Sequence, residues 1–400
     1  MKILQINTVY AEGSTGKIAK EIHDICLENN IECITAYRYT QKSSEKFKDS
    51  IEISSPIDNR IHGLLSRITM FKGCFSFFKT ITFIKKAKKY SPDIIHLHNL
   101  HGSYINIPIL FRYINKSQVP VVWTLHDCWS FTAICSHFSM EKCEKWITGC
   151  NKCPQRKTLS LSLTDNTSIV WKFKKYYFTS FKNITFVTPS NWMKNLINQS
   201  FFKDYPVVTI NNGIDLNLFK PTSSDFITKY NLKDKYIVLG VAFEWNYKKG
   251  LDVFIKLANI LPDKYKIVLV GVKEEIISQL PLNILCIKKT NNQSELAKIY
   301  TAADVFVNPT REETLGLVNI EALACGTPVV TFYTGGSPEC IDNTCGSAVN
   351  IDDIDTLTTE IIRICTTHPY YEKECIKHAT LFDKNNKLKE YIELYKQICN

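Results

Sequence analysis

Short runs of apolar and β-branched residues alternate along the whole chain with stretches that have helical periodicity. After the first run comes a glycine loop, and then a helical pattern with Ile18, Ile22 and Ile25 on one face. Buried strands that alternate with helices indicate parallel sheets covered on both faces. The sequence therefore predicts an α/β fold with Rossmann-like topology, in which ligands bind at the carboxyl ends of the strands. The predicted strands are residues 3–7, 94–98, 121–125, 184–188, 207–210, 236–241, 266–270, 284–287, 304–307 and 328–332.

Length and a change of charge divide the chain into two predicted domains. Its 400 residues exceed the roughly 250–300 that a single hydrophobic core serves. Residues 1–208 carry 28 Lys and Arg against 15 Asp and Glu, a balance of +13, whereas the remainder balances to −3. We expect Rossmann-like domains at 1–208 and 209–382. A C-terminal helix is expected at 383–400, where it can cross back to the first domain.

The composition limits the class of protein. The chain is 44% hydrophobic and 22% charged, which is typical of a globular protein and excludes disordered, collagen-like and coiled-coil chains. No apolar run approaches the ~18–20 residues that span a bilayer. The first residues are too polar for a secretory signal peptide. We therefore expect a cytoplasmic protein.

The most informative motif is the string Thr-Arg-Glu-Glu-Thr-Leu-Gly-Leu-Val-Asn-Ile-Glu at 310–321, between a predicted strand and a predicted helix. Backbone N–H groups at the start of that helix, around Gly316 and Leu317, attract a diphosphate. Glu313 lies in the loop at the helix start, and Glu321 is expected about two turns later on roughly the same face. Two such carboxylates can accept hydrogen bonds from sugar hydroxyls. The alternative is a solvated acidic cap, which also favours a helix start.

This string resembles the Glu-x7-Glu signature of the retaining GT-B glycosyltransferases of family four. The strand before it and the glycine turn at 335–339 after it match as well, and the resemblance covers nearly the whole chain. It implies a GT-B architecture, in which two Rossmann-like domains face each other across a cleft. It also implies that Glu313 holds the donor sugar and Glu321 the nucleotide ribose. The glycine turn can form an anion-binding nest, although a plain strand–helix turn is the alternative.

A second segment of the second domain, residues 243–250, follows a predicted strand and opens a helix. The resemblance implies that Lys249, in its Lys-Gly pair, clamps the donor phosphates. The arginine that the family usually has is missing, because Glu244 stands five residues before Lys249. Lys248 is the predicted replacement for the lost charge. The alternative is that both lysines are merely solvated.

The loop Gly13-Ser14-Thr15-Gly16 follows the first strand and opens the first helix. Small residues there let the backbone approach a ligand, although a structural turn explains them equally well. The spacing is not the dinucleotide fingerprint, which argues against a dehydrogenase. The resemblance implies that Thr15 and Gly16 lie near the donor phosphates.

Histidines end two of the predicted strands in the first domain. His126 matches the family's histidine that contacts the donor sugar near the reacting carbon, and we expect Asp127 to orient its imidazole. On the preceding strand, His96 and His98 lie on the same face. These two either line the acceptor side or simply pack in the interior.

A Cys-rich insertion is predicted at about 128–160. Its C-x7-C-x6-C-x2-C spacing ends in a CxxC pair of the kind that binds metal, and disulfides are rare in the cytosol. A structural zinc site with four thiolates fits both observations. Cys128 or His137 could replace one ligand, and free buried thiols are the alternative. The predicted ligands are Cys135, Cys143, Cys150 and Cys153.

Two stretches of the first domain, 59–92 and 166–203, contain eight and six basic residues and no acid. Phe77, Ile81 and Ile84 lie on one helical face beside lysines, and 171–178 is similar. Basic amphipathic helices with aromatic residues suit an anionic membrane surface, at about 1 kcal/mol per cation. The alternative is an ordinary helix with a solvated lysine face.

Together these features predict a retaining hexosyltransferase that moves a sugar from a nucleoside diphosphate sugar to a glycan, with a lipid-pyrophosphate-linked acceptor, in cell-surface polysaccharide synthesis. The resemblance implies a peripheral protein at the inner face of the membrane that needs no cofactor for catalysis. A sugar-nucleotide epimerase of the same fold and a non-catalytic partner subunit remain alternatives. A nucleic-acid-binding protein would explain the charge, but no DNA- or RNA-binding motif is present. Donor, acceptor and linkage are not determined by the sequence.

Overall fold

The computed structural model describes residues 1–38, 49–290 and 292–399, and it divides into two compact units. Unit 1 comprises Met1–Ile210 and Leu388–Asn400, and unit 2 comprises Asn211–Lys387. Among the described residues, no helix is both long enough and apolar enough to cross a membrane.

Unit 1 is built on a parallel sheet. Its strands are β1 (Lys2–Asn7), β2 (Glu32–Tyr37), β3 (Ser50–Glu52), β4 (Ile94–Leu97), β5 (Val121–Thr124), β6 (Ile184–Thr188) and β7 (Val207–Thr209). In the described part of the unit they pair in the order β3-β2-β1-β4-β5-β6-β7, and every pair is parallel. Its helices include α1 (Gly13–Glu28), α2 (Pro56–Thr69), α3 (Phe77–Tyr90), α4 (Ile107–Ser117), α5 (Lys145–Thr148), α6 (Arg156–Leu159), α7 (Thr167–Phe178) and α8 (Asn191–Gln199).

Unit 2 repeats this plan with a smaller sheet. Its strands are β8 (Tyr236–Val241), β9 (Tyr265–Val270), β10 (Ile284–Ile287), β11 (Val305–Asn308), β12 (Val329–Phe332) and β13 (Gly346–Val349). Over the described residues they pair in the order β10-β9-β8-β11-β12-β13, again all parallel. The later helices are α9 (Phe226–Lys229), α10 (Leu251–Ile260), α11 (Glu274–Ile277), α12 (Gln293–Thr301), α13 (Leu317–Ala324), α14 (Ile354–Thr367), α15 (Glu372–Ala379) and α16 (Lys384–Cys399).

The interior of each sheet explains why these segments are strands. Every position of β4, β5, β11 and β12 is buried, as expected for strands covered by helices on both faces. In unit 1, Trp123 on β5 packs against the rings of Phe178 and Phe186. The end of α16 also packs within unit 1, where Tyr391 and Tyr395 are buried.

The predicted α/β fold with two parallel-sheet, Rossmann-like domains is confirmed. All ten predicted strands are present, with ends within one residue of the prediction. Three further strands, β2, β3 and β13, were not predicted.

Each sheet has one place where the strand order reverses. It lies between β1 and β4 in unit 1, and between β8 and β11 in unit 2. The loops that leave the carboxyl ends of the two strands diverge there, which creates a crevice where open α/β sheets bind ligands. Ligand-binding residues are therefore expected in the loops that follow these four strands.

Candidate functional site

In unit 2, the two loops at the reversal point are in contact. The loop after β8 ends in a 3-10 turn, Tyr247–Lys249, and the side chain of Asn246 accepts a hydrogen bond from the N–H of Lys249 at 3.2 Å. Gly250 follows with φ +74°, and a Cβ there would lie 2.5 Å from the carbonyl oxygen of Pro309. Glycine is thus needed at position 250, because the second loop passes directly against it.

The second loop, residues 310–316, is called the glutamate loop below, and it brings two predicted site residues together. The Nζ atom of Lys249 lies 2.8 Å from Oε2 of Glu313, and both side chains are partly exposed. Beside them, Nζ of Lys248 lies 2.6 Å from Oε2 of Glu312. Glu312 is nearly buried, and its Oε1 atom has no partner in the described part of the chain. The site therefore has two adjacent ammonium–carboxylate pairs at the reversal point.

Arg311 anchors the glutamate loop, a role that the sequence analysis missed. Its guanidinium is buried, donates to both carboxylate oxygens of Asp252 at 2.8 Å, and donates from Nε to Asp352 at 3.0 Å. It also stacks on the ring of Tyr247 at 3.9 Å. A planar, bidentate anchor of this kind fixes backbone position more firmly than a lysine would. The only signal in the sequence was a cation inside an otherwise acidic string.

The helix begins where the sequence predicted, but Glu321 lies closer to the helix start than expected. Gly316 precedes α13 with φ +99°, and the helix begins at Leu317. Glu321 is the fifth residue of α13, so it lies about one turn into the helix rather than two. Its Oε2 atom accepts a hydrogen bond from the buried hydroxyl of Tyr300 at 3.0 Å.

The glycine turn after β12 packs onto the glutamate loop. Gly335 has φ +56°, and a Cβ there would fall 1.7 Å from the carbonyl oxygen of Glu313. The hydroxyls of Thr334 and Ser337 are buried and have no hydrogen-bond partner among the described residues. Buried polar atoms without partners are uncommon, so their presence beside the glutamate loop marks this crevice as a place where a polar ligand fits.

Glu244, which stands where the family's arginine is expected, pairs with Lys273 at the surface. Its carboxylate is half exposed, and so is the ammonium of Lys273. The structure thus brings Glu244 together with neither Lys249 nor Glu313 in any ion pair of the described residues.

In unit 1, the predicted phosphate loop is the first turn of α1. That helix begins at Gly13, and the carbonyl of Thr15 accepts from the Asn7 side chain at 3.2 Å. Gly16 is buried, and a Cβ there would lie 3.1 Å from Val9 and 3.3 Å from the N atom of Ala11. Close packing of the helix on the preceding loop accounts for Gly16, so the structural alternative is sufficient here.

His126 follows β5, and a chain of hydrogen bonds links its ring to His98, after β4, and through His98 to Gln5 on β1. His126 Nε2 lies 3.0 Å from His98 Nδ1, and His98 Nε2 lies 3.0 Å from Oε1 of Gln5. The amide nitrogen of Gln5 faces the carbonyl oxygen of Ala19 at 3.0 Å and Thr35 Oγ1 at 3.2 Å. A carbonyl only accepts, so this contact requires the Gln5 side chain to present nitrogen to Ala19 and oxygen to His98.

The proton positions follow from that orientation. Burial lowers the pKa of His98 well below its ordinary value and that of His126 to about 4, so both rings are neutral at pH 7. His98 must carry its proton on Nε2 to meet the oxygen of Gln5, which leaves Nδ1 as an acceptor. His126 must then carry its proton on Nε2. Its Nδ1 lone pair makes no hydrogen bond to any residue that the structure describes.

Asp127 does not orient His126 by a hydrogen bond, which corrects the expectation from the sequence. Its carboxylate pairs with His101 Nε2 at 2.8 Å and caps the following 3-10 turn through the N–H of Trp129 at 2.8 Å. Although burial raises the pKa of Asp127, the neighbouring His101 and these hydrogen bonds bring it down to about 2. The orienting residue for His126 is His98.

His96 lies on β4 and His98 directly after it; their ring centroids are 4.1 Å apart, and both side chains are fully buried. His96 bonds to Thr124 Oγ1 at 2.8 Å and to the hydroxyl of Tyr395 at 2.6 Å. Interior packing is therefore the interpretation that the structure favours for His96.

The four predicted zinc ligands lie around one small cavity in the Cys-rich insertion. Their sulphur atoms are not drawn together as tightly as a bound metal requires. Among the described residues, the one group whose ligand atoms all lie within 4.8 Å of one another is Asp342, Cys345 and His378 in unit 2.

Comparison with known proteins gives matches to both units. A family model described as Glycosyl transferases group 1 matches residues 234–367, and one described as Glycosyltransferase Family 4 matches residues 39–218. The chain is a glycosyltransferase of the GT-B class.

The glycosyltransferase has relatives along most of its length. It is 24% identical over 371 residues to the putative colanic acid biosynthesis glycosyl transferase WcaC of Escherichia coli, which covers 88% of each chain. It is 27% identical over 242 residues to the N,N'-diacetylbacillosaminyl-diphospho-undecaprenol alpha-1,3-N-acetylgalactosaminyltransferase of Campylobacter jejuni, which covers 56% of this chain and 63% of the relative. The fold is shared with HepE from Anabaena, solved with UDP and glucose, at a TM-score of 0.66 and 15% identity over 99% of this chain and 100% of that one.

Proposed function

We propose that this glycosyltransferase is a retaining hexosyltransferase that uses a nucleoside diphosphate sugar and elongates a lipid-linked glycan in polysaccharide biosynthesis. The observation that carries the proposal is the Lys249–Glu313 pair at the reversal point of unit 2, beside the start of α13. Similarity to WcaC supports the pathway, similarity to the Campylobacter transferase supports the lipid-diphosphate acceptor, and the fold shared with the UDP complex of HepE supports the nucleotide.

In this proposal, a diphosphate binds where cations and N–H groups are already fixed. The backbone N–H groups at Gly316 and Leu317 open α13, and a helix N-terminus favours an anion. Lys249 would leave Glu313 for the diphosphate, which frees Oε2 of Glu313 to accept hydrogen bonds from the hydroxyls of the donor sugar. Glu321 would accept from the ribose. The ion pair of the free enzyme thus holds both side chains in place until the ligand separates them.

The proposed chemistry is a front-face substitution. The bond between the anomeric carbon and the diphosphate breaks through an oxocarbenium-like state, and the diphosphate leaves with the electron pair. The acceptor hydroxyl attacks from the same face, and its proton passes to the departing diphosphate. Lys249 and the fixed N–H groups offset the charge that develops on the leaving group, and such preorganised stabilisation is commonly the largest catalytic term. No cofactor has a role in this scheme.

The donor proposal is tested with the purified chain and a panel of UDP-, GDP- and ADP-sugars, by measuring both nucleotide binding and release of free nucleoside diphosphate. We expect one donor to bind and to be hydrolysed slowly, and Lys249→Ala to reduce release by roughly 10²–10³-fold. Lys288→Ala is the matched control, because Lys288 forms an exposed pair with Glu274 at 2.6 Å elsewhere in unit 2. Failure of every nucleotide to bind, or an equal loss in both variants, would overturn the proposal.

We further propose that unit 1 docks on an anionic bilayer, where a lipid-linked acceptor would be held. The surface that carries this is α2. Its residues at positions i, i+4, i+7 and i+11 form one helix face, and each is about half or more exposed: Ile57 (71%), Ile61 (57%), Leu64 (56%) and Ile68 (49%). An unpartnered apolar face of this kind suits insertion at a membrane interface.

Neighbouring groups extend this α2 surface. The N–H of Leu161 donates to the carbonyl of Arg67 at 3.0 Å, so the chain carrying the exposed Leu161 (63%) and Leu163 (96%) runs beside the end of α2. Arg60 and Arg67 are exposed on the same helix. Apolar side chains flanked by guanidinium groups complement anionic headgroups, and this choice of partner is favoured by the excess of +13 over residues 1–208.

The apolar face expected from the sequence is corrected by the structure. On α3, Ile84 is only 8% exposed because it packs into the core of unit 1, and Lys174 on α7 is fully buried rather than solvated. Phe77 (53%) and Phe78 (81%), at the start of α3, are exposed. Membrane contact is therefore assigned to α2 and not to the body of α3 or α7.

The test is sedimentation of the full chain with phosphatidylglycerol vesicles and with phosphatidylcholine vesicles. We expect binding to the anionic vesicles alone, weakened by salt, and at least a tenfold loss in an Ile61→Ser, Leu64→Ser double variant. Leu282→Ser is the control, because Leu282 is a fully exposed leucine of unit 2. If the double variant changes the oligomeric state of the chain and leaves vesicle binding intact, the α2 surface serves a second copy and the membrane assignment is wrong.

A further inference from the structure

The Cys-rich insertion connects β5 to α7, and its four predicted zinc ligands surround a single cavity of about 20 Å³. That volume holds about one water molecule or one ion. The remaining wall is formed largely by apolar and aromatic groups, among them Ala133, Phe138 and Trp146. Cys128 and His137, the possible substitute ligands, are not part of the lining.

The four thiols come from separate turns of the insertion: Cys135 and Cys143 precede α5, and Cys150 and Cys153 follow it. All four line the same cavity.

A buried cation lies beside the insertion. Lys174 is buried, donates to the carbonyl of Thr132 at 2.9 Å and lies 3.4 Å from the ring centroid of Trp129. Thr132 also lines the cavity of the four thiols. Four thiolates around a divalent ion carry a net charge of −2, which would offset a buried cation, whereas four neutral thiols would not.

We propose that Cys135, Cys143, Cys150 and Cys153 bind one zinc ion that holds the insertion together. In a tetrahedral site with Zn–S bonds of about 2.3 Å the sulphur atoms lie about 3.8 Å apart. No three of these four lie within 4.8 Å of one another in the described structure, so binding must draw the thiols inward into the cavity.

The consequence for the enzyme is mechanical. The insertion begins at the 3-10 turn that Asp127 caps, and Lys174 on α7 donates to the carbonyl of Trp129 in that turn. A metal that fixes the far end of the insertion would hold Asp127 and its partner His101 in place. The site is structural, and no step of the transfer passes through the metal.

In the rival cluster, Asp342, Cys345 and His378, the three side chains already pair with one another, although Nε2 of His378 is buried without a partner among the described residues. His378 Nδ1 lies 3.0 Å from Asp342 Oδ2, and Cys345 donates to Asp342 Oδ1 at 3.6 Å. Asp342 is half exposed and also caps its own turn through the N–H of Thr344 at 2.8 Å. It therefore serves as an internal control for metal content.

The experiment measures metal in the full chain purified under reducing conditions, by mass spectrometry and by release of zinc to an indicator when the thiols are blocked. We expect about one zinc per chain, lost in Cys150→Ser and in Cys153→Ser. Cys286→Ser, at a half-buried thiol of β10, and Cys345→Ser, in the rival cluster, should keep it.

Replacement by Co²⁺ keeps the test decisive if a serine variant does not fold. The native chain loaded with cobalt should show thiolate-to-metal charge-transfer absorption of the intensity expected for four sulphur ligands. A folded, reduced chain that takes up neither zinc nor cobalt would overturn the proposal. So would metal that stays in Cys150→Ser and Cys153→Ser and leaves in Cys345→Ser.

Discussion

At the scale of single residues, the proton on His126 is fixed by a residue on another strand. Gln5 cannot turn its amide, since Ala19 holds the nitrogen, and His98 transmits this constraint. As a result, Nε2–H of His126 donates to His98 in the interior, and the Nδ1 lone pair of the same ring can accept a hydrogen bond. A neutral acceptor in that position suits contact with a sugar hydroxyl, which is the role that the resemblance implies for His126.

The first prediction separates orientation of His126 from mere packing. His98→Leu leaves the buried Nε2–H of His126 without an acceptor, at a cost of about 1–3 kcal/mol, and should lower kcat for donor turnover much more than it raises KM. In His98→Asn, the side-chain oxygen lies near the position of the lost Nδ1, so most of kcat should return. Steady-state kinetics on both variants check this, together with ¹⁵N NMR of labelled histidine to read the tautomer of His126. Equal losses in the two variants would show that His98 acts only by filling space.

Much of the site was predictable residue by residue, but its pairings were not. The string at 310–321 and the Lys-Gly pair identified Glu313 and Lys249 because local sequence sets a loop after a strand and an N–H-rich helix start. The contact between them joins positions 64 residues apart and depends on the strand order. In the same way, no local pattern indicated that Arg311 is buried in ion pairs while Glu313, two residues later, is partly exposed.

At the scale of elements, most of the ten predicted strands are apolar runs rich in Ile, Val and Leu, whereas the three missed strands are very short or mix polar and small residues with the apolar ones. β3 has three residues, and β13 reads Gly-Ser-Ala-Val, with little apolar surface of its own. Both are edge strands whose existence depends on a longer neighbour that supplies hydrogen bonds. β2 contains Glu, Cys and Thr, and its strand character follows from its pairing with β1. Where local strand propensity is weak, pairing with a neighbouring strand therefore determines whether a segment forms a strand.

The second prediction concerns the contact between the glycine turn and the glutamate loop. Gly335→Ala places a Cβ 1.7 Å from the carbonyl oxygen of Glu313, at a backbone that alanine also disfavours, so the loop must shift. We expect donor affinity to fall by at least tenfold, as measured by calorimetric titration with the nucleotide sugar that the chain binds.

Gly326→Ala is the matched control for that prediction. Gly326 also has positive φ, +87°, but its Cβ would meet the flexible side chain of Glu372 and not the glutamate loop. We expect a loss of stability on the order of 1 kcal/mol and unchanged donor affinity. If both variants bind donor equally well, the glycine turn does not position Glu313.

At the scale of the whole molecule, the two units differ in how they hold their histidines. Unit 1 buries four whose pKa values are lowered by burial, to about 4 for His62 and His126, to about 3 for His96, and well below the ordinary value for His98. In unit 2 the two histidines are His368, which is exposed, and His378, which is only partly buried. We therefore expect acid to destabilise unit 1 more than unit 2.

The third prediction is that mild acid destabilises unit 1 before unit 2. A histidine whose pKa is lowered in the folded state contributes fully to the free energy of unfolding above the pKa of the unfolded chain, about 6.5. That contribution is lost as the pH falls from there towards the folded pKa, because the unfolded chain takes up the proton first. At pH 5 each of the four buried histidines should therefore cost up to about 2 kcal/mol relative to pH 7.5.

Five of the six tryptophans lie in unit 1 and only Trp245 in unit 2, so thermal unfolding followed by tryptophan fluorescence reports mainly on unit 1. We expect that midpoint to fall by on the order of 10 °C between pH 7.5 and pH 5, while hydrogen exchange shows the amides of β8 and β11 still protected. His62→Gln removes one titrating ring and should make the fall shallower. An unchanged slope in that variant, or simultaneous loss of protection in both units, would contradict the assignment to buried histidines.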